Sequence, residues 1–198
     1  MMRRLVESRE RVATTIFMLG TVGASDRVLS RVHFAMFANR WADLSDRPDH
    51  LRAYCAGLER CGEPRRIVDL GTGTGSSAAA AAARFPSADV VGLDISRAML
   101  RRARKLHTAP NLRFEHGSVL RLPFESGSID VVTSLNALAE LGELGRVLPQ
   151  GGLVMSASSL FGLRGETSAW VGRWSDAGFE RIDCAETQPG SWELYRRR

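Results

Sequence analysis

From residue 65 onward, short apolar runs alternate with longer stretches of helical character. "RRIVDLG" (65–71), "ADVVGLD" (88–94), "LRFEHGS" (112–118), "IDVVTSL" (129–135) and "GGLVMSASS" (151–159) are rich in Val, Ile and Leu and bounded by Gly, Asp or Ser. Each is too short for a helix and reads as a strand. Helices are expected between them: "SSAAAAAARF" (76–85), with an N-cap serine and alanine-driven propensity, and "SRAMLRRARKLH" (96–107), capped by Ser96. "NALAELGELGRVL" (136–148), with a glycine weak point, and "GETSAWVGRWSDAG" (165–178) complete the set. "FERIDCAE" (179–186) and "SWELYRR" (191–197) are two further strands joined by the turn Thr187-Gln188-Pro189-Gly190, so that pair is antiparallel.

Before residue 65 the pattern is helical throughout: "RRLVESRERVATTIFML" (3–19), "SDRVLSRVHFAMFANRWADL" (25–44) and "RPDHLRAYCAGLERCG" (47–62). Ser25-Asp26 and Asp46-Arg47-Pro48 supply start signals and Gly62 a stop. Strand–helix alternation with apolar strands means a parallel sheet covered on both faces. The expected fold is therefore α/β: a doubly wound, mostly parallel seven-stranded sheet over residues 63–198, with an N-terminal helical cap over residues 1–62. Ligands of such sheets bind beyond the C-terminal strand ends, near the switch in strand order.

Composition changes this picture little. The 198 residues are 44% hydrophobic and 25% charged, as in ordinary globular proteins. The net charge of +5 could favour an anionic partner. Arginine supplies nearly all of the 27 basic residues, however, and they are scattered, which reads as compositional bias. Three cysteines without close pairs or histidines at ligand spacing exclude a disulfide framework and a zinc knuckle, and no metal site is expected. The apolar stretch at 12–24 is too short to span a bilayer, and Glu7 and Glu10 spoil a signal-peptide n-region. A cytoplasmic protein with reduced thiols and no membrane span is expected.

The first strand runs into "GTGTG" and then directly into a helix. Glycine permits positive φ and lets a ligand approach the main chain without meeting a Cβ. Gly71, Gly73 and Gly75 give G-x-G-x-G, and Ser76 occupies the sixth position, so the fit to the dinucleotide pattern G-x-G-x-x-G is poor. Asp94 closes the next strand, where a carboxylate can accept two hydrogen bonds from a ribose diol.

"VDLGTGTG", "VVGLDIS..ML", "LRFEHGSVLRLPFESGSIDVVTS" and "GRVLPQGGLVMS", in order and spacing over about 65–159, resemble the class I S-adenosylmethionine-dependent methyltransferases, nearest to their small-molecule group. The resemblance implies S-adenosylmethionine as cofactor, a small-molecule acceptor and roles for individual residues. Gly71, Thr72, Gly73 and Gly75 would form the loop around the methionine portion, with Asp69 beneath it helping to orient the ammonium. Asp94 would bind the ribose, Ile95 and Met99 would pack on adenine, and Ser118 and Val119 would reach the adenine edge. Leu135 and Asn136 would face the methionine part and the acceptor. Plainer readings compete at some of these positions: Asp69 holding only the loop backbone, Met99 as core, Asn136 as a helix N-cap.

The chain departs from the pattern in three places. Ser118 stands where relatives often carry an acid. The connection from Asn136 to Pro149 is short, and so is the stretch from Ser159 to Glu180. The remaining candidate lid is the N-terminal segment; its Phe17, Met18, Phe34, Met36, Phe37 and Trp41 read mostly as core packing, and some of them suit a pocket for an apolar or aromatic acceptor. No catalytic base is identifiable; His33 is the best of the four histidines. The alternatives are a nucleic-acid methyltransferase, a cofactor-binding member that transfers no methyl, and a nicotinamide oxidoreductase. The first lacks an Asn/Asp-Pro-Pro-aromatic stretch here, where the chain reads Thr133-Ser134-Leu135-Asn136.

Overall fold

A computed structural model describes residues 48–137, 140–159 and 173–198. The helices expected over 3–19 and 25–44, with His33 and the apolar lid residues, lie outside these, as does most of the helix expected over 165–178.

Seven strands form one sheet: β1 (Arg66–Leu70), β2 (Asp89–Asp94), β3 (Leu112–His116), β4 (Val131–Leu135), β5 (Leu153–Ser158), β6 (Phe179–Glu186) and β7 (Ser191–Arg197). Their order is β3-β2-β1-β4-β5-β7-β6. The first five are parallel, and β7 lies antiparallel between β5 and β6. This bears out the doubly wound, mostly parallel seven-stranded sheet. β1 pairs with both β2 and β4, so the order reverses at its two sides and the crevice opens at its C-terminal end.

Helices α1 (Pro48–Leu58), α2 (Ser76–Arg84), α3 (Arg97–Leu106) and α4 (Leu141–Val147) are the numbered helices among the described residues. One core joins Ala53, Tyr54 and Leu58 of α1 to the alanines of α2, Leu100 and Ala103 of α3 and the sheet residues Ile67, Val90, Phe114 and Met155. On the other face Leu144, Val147 and Leu148 pack on Val68, Val91, Val132 and Val154. There Trp174 stacks on Tyr195 at 4.3 Å and meets Phe179 edge-on at 5.3 Å.

Three local outcomes differ from the sequence reading. Helix α1 falls within the segment assigned to the cap, yet its Tyr54 and Ala53 are wholly buried against the sheet. Gly57 allows the approach: a Cβ there would lie 2.6 Å from the Met155 sulfur and 3.3 Å from Trp192 Cβ. Helix α2 has no serine N-cap; Gly75 takes that position at φ 91 with no side-chain cap. The helix expected from Asn136 begins only at Leu141, because Asn136 is turned into φ 56 and Glu140 caps the helix. The Glu140 carboxylate accepts from Gly142 N at 3.1 Å and Glu143 N at 2.6 Å. Ser96 caps α3 as expected, accepting from Met99 N.

The "RLPF" loop is secured by an ion pair. Arg146 grips both oxygens of Glu143, at 2.9 and 2.8 Å, and donates to the carbonyls of Phe124 and Leu122. Glu143 also accepts from Leu122 N at 2.6 Å. Hydrogen bonding to Arg146 leads the causes that hold the Glu143 carboxyl down at about 2, below its ordinary 4.5. A depressed carboxylate pKa stabilises the fold above the unfolded value and loses that contribution as pH falls through the folded value. Glu143→Gln should therefore be less stable than the parent at neutral pH. The gap, read by urea unfolding across pH, should close between about 4.5 and 2.

Candidate functional site

The loop from Gly71 to Gly75 leaves β1 at the switch in strand order and enters α2. Gly71, Gly73 and Gly75 all have positive φ, at 65, 56 and 91. At Gly71 a Cβ would lie 2.7 Å from the Cβ of Ala137, just beyond β4. At Gly75 it would strike the Phe114 ring at 2.7 Å and Ala103 at 3.0 Å. Gly75 thus serves the packing of loop on core, while Gly71 lies against the chain leaving β4. Thr72 N donates to Leu93 O at 3.0 Å and Gly75 N to Thr72 O at 2.8 Å, which closes the turn.

Two carboxylates hold this loop. Asp69, fully buried on β1, accepts from Ser77 Oγ at 2.6 Å on one oxygen. Its other oxygen lies 3.0 Å from both the Tyr54 and Thr133 hydroxyls, which are themselves 2.8 Å apart. Burial raises the Asp69 carboxyl pKa, and the surrounding hydroxyls, Ser77 foremost, oppose that rise. Burial first, then the Asp69 charge, pushes the Tyr54 phenol well above its ordinary value, so it stays a donor.

Asp94, at the tip of β2, accepts from Gly73 N at 2.9 Å on one oxygen and from Ser96 N at 2.7 Å on the other. Burial raises its pKa, against the pull of those two amides and of the nearby His116. His116 stands opposite Asp94 in register, with Nε2 3.1 Å from Ile95 O. A carboxylate has about four lone-pair positions, so these amides leave it acceptor capacity for a further donor.

The structure brings Asp69, Gly71, Thr72, Gly73, Gly75 and Asp94 together around one loop. Ile95 follows Asp94 and is partly exposed; Met99 is buried. Ser118 Oγ accepts from Leu120 N at 3.2 Å within a turn after β3, and Val119 packs partly against the core. Leu135 packs at the end of β4. Asn136 caps no helix. Its Nδ2 donates to Ser159 Oγ at 2.8 Å, its Oδ1 accepts from Ser159 N at 3.0 Å, and its own N donates to Ala157 O at 2.9 Å. Sequence reasoning missed Tyr54, Thr133, Ser77 and Ser159. The only available signal was a tyrosine inside an otherwise apolar helical face.

Residues 67–152 match the model of a methyltransferase domain family. Demethylmenaquinone methyltransferase of Thermus thermophilus is 43% identical over 110 residues, 51% of this chain and 49% of that protein. Trans-aconitate 2-methyltransferase of Deinococcus radiodurans is 48% identical over 83 residues, covering 42% and 31%. A solved S-adenosylmethionine-dependent methyltransferase from Aquifex aeolicus superposes with a TM-score of 0.65 at 18% identity, over 80% of this chain and 97% of that one. Over residues 67–152 and in fold the chain is thus similar to S-adenosylmethionine-dependent methyltransferases, whose cofactor is S-adenosylmethionine. It spans at most about half the length of the two curated relatives named.

Gly71→Ala should lower the thermal midpoint, since the added methyl meets Ala137 and the left-handed backbone costs about 1–2 kcal/mol for a residue with a Cβ. Differential scanning calorimetry against Gly145→Ala, where a Cβ would meet nothing within 4 Å, checks this.

Proposed function

We propose that this chain catalyses in-line transfer of a methyl group from S-adenosylmethionine to a small apolar or aromatic molecule. The observation that carries the reading is a bare main-chain loop at the switch point with a second carboxylate at the neighbouring strand tip. Gly73, in left-handed backbone, carries no side chain toward an aminoacyl chain, and Asp94 keeps lone pairs for a vicinal diol. These features fit the cofactor of the class.

The cofactor supplies a methyl already activated by a positive sulfur. The chain's own residues bind, align and exclude water. Main-chain groups of Gly71, Thr72 and Gly73 would hold the aminoacyl end. Asp94 would grip the sugar, and Ile95 would offer an apolar surface to the base. Ser118 would meet the base edge with a hydroxyl rather than a carboxylate, which places more of the affinity on Asp94 and the loop. Leu135 and Asn136 would border the reacting methyl from β4, with Asn136 held in one orientation by Ser159.

The acceptor is argued from two things. The relative identical at 43% is named for demethylmenaquinone, and the segment over 1–47 is rich in Phe, Met and Trp. The relative named for trans-aconitate points to a polar acid instead. Labelled methyl transfer from the cofactor to a panel of quinols, phenols and tricarboxylates tests the reading. Label in the aromatic members supports it; label only in the acids would replace the acceptor class.

Asp94→Ala should weaken S-adenosylhomocysteine binding by about 1–3 kcal/mol through lost charged hydrogen bonds. Gly73→Val should abolish binding by filling the cofactor's volume. Normal affinity of both variants in titration calorimetry would remove the basis of the assignment.

A further inference from the structure

The fully buried Asp69 carboxylate carries no exposed surface with which to touch a bound molecule. Both its oxygens are engaged by hydroxyls from three different elements: Tyr54 on α1, Thr133 on β4 and Ser77 in the first turn of α2. The expectation that Asp69 orients the cofactor's ammonium thus meets a different geometry. The acid sits at the centre of a closed polar node, and Ser77 is its link to the loop above.

We propose that Tyr54 is a positioning residue for the cofactor loop. Its hydroxyl, sharing one Asp69 oxygen with Thr133, fixes the carboxylate that anchors Ser77, and Ser77 fixes where the glycine loop enters α2. This rests on the reading of the loop as the aminoacyl cradle. A buried phenol needs a polar partner, and a buried carboxylate needs several. Tyr54 meets both needs at once, from a helix that precedes the sheet. The loop is held separately from the β2 side, where Asp94 accepts from Gly73 N and Leu93 O accepts from Thr72 N. The node therefore governs the loop's exit, next to the aminoacyl end, and Asp94 governs the sugar end.

That division gives a signature that simple destabilisation lacks. Two ligands share the nucleoside: S-adenosylhomocysteine has the amino-acid group and 5′-methylthioadenosine does not. Tyr54→Phe and Thr133→Val should each weaken S-adenosylhomocysteine roughly three- to tenfold, the net scale of one ordinary hydrogen bond felt through the loop. Both should leave methylthioadenosine unchanged. The double variant should lose less than the product of the two, because both hydroxyls serve one oxygen. Leu58→Ala trims the same helix's buried packing without touching the node, and should lower the unfolding midpoint while keeping the ratio of the two affinities. In ligand-free protein, amides 72–77 should exchange hydrogen faster in Tyr54→Phe than in Leu58→Ala.

An affinity ratio unchanged in Tyr54→Phe, or shifted as far by Leu58→Ala, overturns the assignment. Parent protein that takes up neither ligand defeats the methyltransferase reading instead. The exchange comparison then decides the node by itself: faster loop exchange confined to Tyr54→Phe upholds it, and equal exchange in the two variants ends it.

Discussion

A single carboxylate in the dry centre of the molecule sets the terms for what surrounds it. Asp69 sits where β1 separates the two halves of the sheet, with no access to solvent. An unpaired charge there would be intolerable, so hydroxyls must converge on it, and they come from α1, β4 and α2. Satisfying one buried acid therefore joins elements distant in sequence. The same contacts decide where the loop between β1 and α2 can run.

Asp94 complements this from the edge of the crevice. It is less enclosed than Asp69, and its two amide partners pin the loop and the start of α3 without exhausting its acceptor capacity. One acid is thus closed and architectural, while the other is open and able to meet a ligand. Their environments differ because β1 is flanked by strands on both sides at this level, whereas the tip of β2 borders the crevice.

The sheet was legible because its strands are short, apolar and separated by helix signals. β6 and β7 coincide with the runs at 179–186 and 191–197 to the residue. The glycines and Asp94 were legible because backbone constraints leave a pattern local in sequence. The hydroxyl partners of Asp69 were not, since Tyr54 and Thr133 lie 15 and 64 residues from it and nothing in spacing links them. The shortening of α4 was hidden for a similar reason. Asn136 is a fair N-cap by type, and only the arrival of Ser159 from β5 draws its amide away from the helix. Ser76 looked like a cap by type too, but the loop reaches α2 in a left-handed turn that only glycine accommodates well.

Helix α1 has a practical bearing on how this fold can be dissected. Its Gly57 nestles against Met155 and Trp192, and its Leu58, with Cys61 just beyond the helix, completes the same apolar layer. A fragment trimmed to start at the first strand would leave that layer bare to water and its central acid short of one donor. Any graft or chimera built from this module should therefore take its upstream junction before Pro48, so that the whole of α1 is kept.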